Sequence, residues 1–382
     1  MRILSWPLIR TRRRPSFRWP PTALWGMSTG FCRPSPQLFG GVWPGWQVVK
    51  STKGGKAMCG IAGVLYKKGS GPVGEDLKRL VYGIRHRGRD SSGVAIFSSN
   101  NGAGGNERLL IHVRVGSNPS PQEIDAVLST LEGLLEEEGG EILDHRVAGT
   151  ILGIGVQYSG SVRKLCYRLD RYKVQTISIG YELVIYKDLG TADRLDVVYH
   201  YSRVEGTHGI GHARLATESM VSPDRAHPFW AYGFADIAIV HNGQLTNYWK
   251  LRRHFERKGY RFRTDNDSEL IAIYNAHYLE KGMKLQDVLE QSLLDLDGTY
   301  TFLVATPGEL GFVRDKLAAK PLVYVDTADR VVLASEEIGL RALLPDMESM
   351  TVEEPLPRTA ATWSIDGGRQ LSRLTYRAVG ME

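Results

Sequence analysis

Cysteine is scarce in this sequence. Its 382 residues contain three, Cys32, Cys59 and Cys166. Three is too few for a disulfide framework, and none falls at metal-ligand or iron–sulfur spacing. A reducing, cytoplasmic compartment is the simplest expectation. Acidic residues are missing altogether from positions 1–57, which hold ten Lys/Arg, five of the eight Trp and seven of the 17 Pro. The formal charge of +6 therefore belongs to that leader, because residues 58–382 carry 38 basic and 42 acidic groups, net −4. The basic balance gives the body no reason to bind nucleic acid. No apolar run in the leader approaches the roughly 18 residues that span a bilayer, and no membrane partner is expected.

Three readings of residues 1–57 stand in order. Met58 is the true start and the leader is never made; or the leader is a propeptide or transit segment that is cut off; or it is a retained basic arm. The first two make it absent from the mature protein. The choice bears on the stretch Met58-Cys59-Gly60-Ile61-Ala62-Gly63-Val64. Removal of Met58 would leave Cys59 as the first residue, with thiol and free α-amine on one residue. An α-amine has a reference pKa of about 7.7–8.0 and can take the thiol proton near neutrality. A retained arm would block that amine.

Apolar periodicity places elements along the rest. Residues 59–66 read as a buried strand, and Leu77, Leu80, Val81 and Ile84 form the stripe of a helix over 75–87. Strands are expected at 94–97 and 109–113. A helix over 121–137 carries Ile124, Val127, Leu128, Leu131 and Leu135 on one face, and its Glu136-Glu137-Glu138 end reads as a solvated face. Further strands are expected at 212–215, 238–240, 300–305, 310–313, 322–325 and 331–334, with helices at 246–258, 267–281 and 285–294. Strands grouped with strands and helices with helices indicate α+β layers, not a parallel βαβ sheet.

Several short constellations carry chemistry. They are Cys59-Gly60-Ile61-Ala62-Gly63, Arg85-His86-Arg87-Gly88-Arg89-Asp90-Ser91-Ser92-Gly93, Gly209-Ile210-Gly211-His212-Ala213-Arg214-Leu215-Ala216-Thr217, His241-Asn242-Gly243-Gln244-Leu245, and Asp267-Ser268-Glu269 at a helix start. Taken singly, each has a plainer reading. Arg214 would be a surface ion pair and Asp267 a helix cap, with Asp265 its near competitor. His212 and His241 read as packed, hydrogen-bonded strand residues, His227 as structural, Arg87 and Asp90 as loop holders, and Cys166 as a small packed side chain.

In this order the set resembles the class II glutamine amidotransferases, over nearly all of residues 58–340. Arg314-Asp315-Lys316 and Ala334-Ser335-Glu336 match later parts of the pattern. The resemblance implies an α+β fold, the four-layer αββα sandwich of the N-terminal-nucleophile hydrolases. It implies a glutaminase that splits L-glutamine into glutamate and ammonia, with Cys59 as nucleophile and Asn242 and Gly243 as oxyanion donors. Arg214 would hold the substrate carboxylate and Asp267 its ammonium. Residues 58–345 would form the amidotransferase domain, with an insertion at about 94–205, and 346–382 its C-terminal tail.

No cofactor or metal is expected in this chain, since it has no phosphate loop, cysteine cluster or synthase-sized segment beyond the last motif. Val174–Ile179 and Glu182–Leu189 resemble a strand pair of the glutamate synthase amidotransferase domain, as does Ala226-His227-Pro228-Phe229. The partner implied is a separate glutamate-synthase-like synthase subunit holding FMN and an iron–sulfur centre, with a β-helix subunit beside it. A phosphoribosyl or amide-forming acceptor is the runner-up, since Gly211-His212-Ala213-Arg214 is closer to the phosphoribosyl type. A scaffold with a blocked Cys59 is the non-enzyme alternative.

Overall fold

The computed structural model describes residues 59–98, 108–116, 118–215 and 222–374; the leader lies outside them. The chain starts its ordered course in the middle of a sheet. Strand β1 (Gly60–Tyr66) is flanked on both sides and is buried almost throughout, which is why it reads as an unbroken apolar run. Helix α1 (Val73–Gly83) comes next and lays Leu77, Leu80 and Val81 on that sheet, with Ile84 just past its end, all fully buried. Strand β2 (Ser91–Phe97) returns to the same sheet.

Residues 108–180 then build a separate small sheet. Its elements are β3 (Arg108–Arg114), α2 (Pro121–Glu136), β4 (Glu141–Ala148), β5 (Ile151–Gln157), α3 (Val162–Arg171) and β6 (Gln175–Gly180), with strand order β4-β5-β3-β6. Helix α2 begins with a capping box: Glu123 N–H donates to Ser120 Oγ at 3.2 Å and Ser120 N–H donates to the Glu123 carboxylate at 2.7 Å. Glu138 is not the solvated end the sequence suggests. Tyr158 donates to it at 2.6 Å and Arg168 at 2.8 Å, pinning α2 to α3.

Strand β7 (Leu183–Leu189), helix α4 (Ala192–Tyr199) and strand β8 (His208–Arg214) bring the chain back to the first sheet. The small sheet is thus narrower than the 94–205 segment, because β2 and β7 belong to the main body. Next come β9 (Phe229–Trp230), β10 (Ala238–Leu245), α5 (Tyr248–Arg257), α6 (Asp267–Glu280) and α7 (Leu285–Asp295). The remaining elements are β11 (Gly298–Thr306), β12 (Glu309–Arg314), β13 (Val323–Asp326), β14 (Arg330–Ala334), α8 (Glu337–Leu343), β15 (Thr359–Ser364) and β16 (Arg369–Arg373).

Two six-stranded antiparallel sheets result, β13-β14-β1-β8-β2-β7 and β16-β15-β12-β11-β10-β9. They face one another through β1, β8, β10, β11 and β12. Helices α1, α4 and α8 cover the first, and α6 and α7 the second. This is the αββα sandwich. Residues 359–373, expected as tail, are strands of the second sheet, where the Trp363 side chain is fully buried. Close helix–sheet contact needs Gly211: a Cβ there would lie 2.6 Å from Val81 Cγ2. Among the described residues no helix is long and apolar enough to cross a membrane.

One buried carboxylate joins the small sheet to the body. Asp236, 3 % exposed, accepts the N–H groups of Tyr181, Glu182 and Leu183, each at 2.9 Å. Asp236→Ala leaves those donors without their acceptor. Removing it should cost about 2–3 kcal/mol of stability in denaturant titrations, while Asp236→Asn should retain part of it.

Candidate active site

The ends of three strands and one helix converge above the first residue of β1. Antiparallel pairing sets Gly60 opposite Ala213, so Cys59 meets the end of β8, 156 positions away in sequence. There Leu215 N–H donates to Cys59 Sγ and the thiol donates to the Leu215 carbonyl, both at 3.3 Å. The Cys59 carbonyl accepts from Asn242 Nδ2 at 2.9 Å and Arg87 Nε at 3.0 Å. Arg87 is itself ion-paired with Glu336, which also meets His86 at 2.8 Å. Ile61 N–H donates to Ser335 Oγ at 2.9 Å. Arg87 therefore does more than hold a loop.

Because Nδ2 of Asn242 is the donor to Cys59, its Oδ1 must accept. The partner is His212 Nε2 at 3.2 Å, which fixes the proton on that nitrogen. Burial first, then the Arg214 charge, lowers His212 to about 3, so it is a neutral donor. Gly243 sits at φ +128°, and a Cβ there would fall 2.0 Å from the Thr299 carbonyl oxygen. Only glycine lets β10 take this path beside β11.

The other wall is the start of α6. Asn266, not Asp267, caps this helix, its side chain accepting the Ser268 N–H at 2.8 Å. That frees Asp267 for the cleft, where Leu245 N–H donates to it at 3.0 Å and His241 Nδ1 lies at 3.5 Å. Burial would raise the Asp267 carboxyl, but His241 and the Leu245 and Ser268 N–H groups outweigh it and hold it below the usual carboxylate range. Its competitor Asp265 is ion-paired to Arg252 at 2.8 Å and is 64 % exposed. Ser268 Oγ bridges His227 Nε2 at 2.8 Å and His241 Nδ1 at 3.0 Å, and the His227 ring stacks on His212 at 4.1 Å. Arg214 donates to the Arg225 carbonyl at 2.9 Å.

Cys59, Arg214, Asn242, Gly243 and Asp267 all line one cleft of about 420 Å³. His227, His241, Tyr248 and Asp265 line it too. The sequence reads His241 as packed and His227 as structural; both rings are buried and hydrogen-bonded, but nothing in their spacing shows that they border the cleft. Burial pushes the Cys59 thiol up; the Leu215 N–H and the Arg214 and Arg87 charges pull it part of the way back. Cys166 is fully buried on α3, its thiol pushed up to about 12 by burial.

Residues 212–342 match the glutamine amidotransferase domain family. A Methanothermobacter thermautotrophicus protein named as a glutamine amidotransferase is 36 % identical over 314 residues, covering 81 % of this chain and all of the relative. A glutamine amidotransferase-like protein of Rhizobium meliloti is 36 % identical over 312 residues, 80 % of this chain and 98 % of its own. Among solved structures, the glutamine phosphoribosylpyrophosphate amidotransferase of B. subtilis superposes with a TM-score of 0.50 at 19 % identity, over 82 % of this chain and 49 % of that one. That likeness bears on the fold alone.

The two thiols should differ in chemistry. In protein that retains Met58, alkylation of Cys59 by iodoacetamide should rise about tenfold per pH unit between about pH 7 and 9 without a plateau, because burial keeps the thiol protonated there. Cys166 should stay unmodified in the folded protein. Peptide mapping reads both rates, and a Cys59 plateau below about pH 8 would contradict this electrostatic picture.

Proposed function

We infer, since the chain belongs to the class II glutamine amidotransferase family, that its cleft binds L-glutamine and that Cys59 attacks the side-chain amide. The convergence of five residues from four distant segments on one cleft carries this reading. In it Met58 is removed, or the leader is cut, so that the α-amine of Cys59 is free. The amine takes the thiol proton as Sγ bonds to the amide carbon. The oxyanion accepts from Gly243 N–H and from Asn242 Nδ2. That nitrogen has two N–H bonds; one holds the Cys59 carbonyl, and the other, in a long 3.5 Å contact with Ser335 Oγ, is the one that turns to the oxyanion. Collapse breaks the C–N bond, and the amine returns its proton to the departing ammonia. Water then cleaves the thioester to glutamate.

Arg214 pairs with the substrate carboxylate and Asp267 with its ammonium. The depressed Asp267 carboxyl supports that role, since it stays anionic through neutral pH. The ammonia serves a separate, glutamate-synthase-like synthase subunit in which FMN and an iron–sulfur centre would reside; a cytoplasmic location belongs to the same reading. The Gly211-His212-Ala213-Arg214 motif favours the second reading, a phosphoribosyl or amide-forming acceptor.

Protein starting at Cys59 should gain the mass of one adduct from an electrophilic glutamine analogue, and protein retaining the leader should gain none. Cys59→Ala should lose at least about 10³-fold in glutamine hydrolysis. Asn242→Ala should lose about 10²–10³-fold in kcat, whereas Asp267→Ala should mainly raise KM. Undiminished hydrolysis by Cys59→Ala ends this account. A yellow, FMN-bearing partner co-purifying from the native host separates the two acceptor readings.

A further inference from the structure

The small sheet ends on a strand whose outer edge pairs with no described strand. β4 is its outer strand, and six of its eight residues are exposed, with only Ile142 and Ala148 half-buried. Leu143 and Val147 are 44 % and 39 % exposed, an apolar pair on a strand bare along its outer edge. Exposed edges of this kind are templates for pairing with another strand.

The hydrogen-bonding phase of that edge can be worked out. β4 and β5 are joined through Gly149 and Thr150, with Ala148 opposite Ile151 and Gly149 at φ +57°. The closing pair of a two-residue hairpin exchanges both its hydrogen bonds, and bonded pairs alternate along the ladder. Ala148, Arg146 and Asp144 therefore aim their backbone groups at β5. Val147 and His145 aim theirs outward. The bulge lies between Ile142 and Asp144 and leaves this phase intact from Asp144 to Ala148.

We propose that β4 pairs antiparallel with β4 of a second copy, about a two-fold axis through His145, joining two four-stranded sheets into one of eight. This register suits the side chains where its two neighbours do not. His145 faces its own symmetry mate, and Asp144 faces Arg146 of the other copy twice. A shift of two residues one way sets Asp144 against Asp144; the other way sets Arg146 against Arg146. Like charges directly opposed across strands are unfavourable. Asp144 is held ready by Arg108, whose two Nη atoms donate to it at 2.6 and 2.8 Å, yet it stays 54 % exposed. Edge strands are kept apart by charges that clash with their own copy; here the charges match it.

Sedimentation velocity on the full chain tests this. The wild type should sediment as a dimer of the 42.6 kDa chain. Arg146→Asp, an exposed substitution, should weaken the dimer at least about tenfold by opposing two carboxylates. Val147→Pro should do the same by deleting an outward N–H that β5 does not use. Asp144→Arg alone should also fail to pair with itself, while an equimolar mixture of Asp144→Arg and Arg146→Asp should dimerise. A wild-type monomer at every concentration overturns the proposal. So does a dimer indifferent to Arg146→Asp and Val147→Pro in variants whose circular dichroism is unchanged.

Discussion

One carbonyl oxygen organises the centre of this molecule. The Cys59 C=O, at the mouth of β1, accepts from Asn242 on the opposite sheet and from Arg87 on the loop after α1. Each donor is fixed by a further partner: His212 orients the Asn242 amide, and Glu336 neutralises Arg87. Burial alone would raise the Glu336 carboxyl, but Arg87 and His86 hold it below its ordinary range, so the pair stays ionic. An arginine only 7 % exposed is tolerable because it is paired and hydrogen-bonded. Segments near residues 59, 87 and 242 thus meet at one atom, with Glu336 behind Arg87, and the thiol's position is set by theirs.

The histidines extend the same logic. Burial keeps His212 and His227 neutral, so each ring has one donor and one acceptor nitrogen and cannot change role at neutral pH. A neutral His227 beside Ser268 Oγ, with His241 on its other side, lets a single hydroxyl tie the Ala226–Phe229 segment to the start of α6. The wall that carries Asp267 is thereby joined to the wall that carries Arg214. Low polarity, costly to any charge placed there, here gives a fixed donor–acceptor pattern.

Most of this is legible in the sequence where the signal is local. The α1 stripe, the long helices and most central strands of the two main sheets can be read from their apolar spacing or runs, because each buries a regular stripe or its whole length. The five cleft residues stand in short motifs whose residue types are rare in combination. Where the physics is not local, the sequence says less. β4 is exposed over most of its length, with only Ile142 and Ala148 half-buried, and so shows no alternation. β15 and β16 lie beyond the last motif and read as tail, though Trp363 anchors them in the second sheet. Asn266 rather than Asp267 caps α6, because both stand at a helix start and only the path of β10 distinguishes them. Asp236 and Arg87 look like ordinary charges until their buried partners are known.

The small sheet is also coupled to the cleft, through a residue with no motif to mark it. Lys187 on β7 is buried, and its Nζ donates to the carbonyls of Ala226 at 3.0 Å and Pro228 at 3.3 Å. Those carbonyls flank His227, and the carbonyl of the preceding residue, Arg225, accepts from Arg214. Burial, then the nearby Arg114 charge, lowers Lys187 to about 7. Arg114 comes from β3 of the small sheet and donates to the Lys187 carbonyl at 3.0 Å. A neutral amine keeps two N–H donors, so the strut can span both carbonyls in either protonation state. The segment that positions Arg214 is therefore braced by the body's own strand and, through Arg114, by the small sheet. The small sheet is thus part of what holds the cleft in shape.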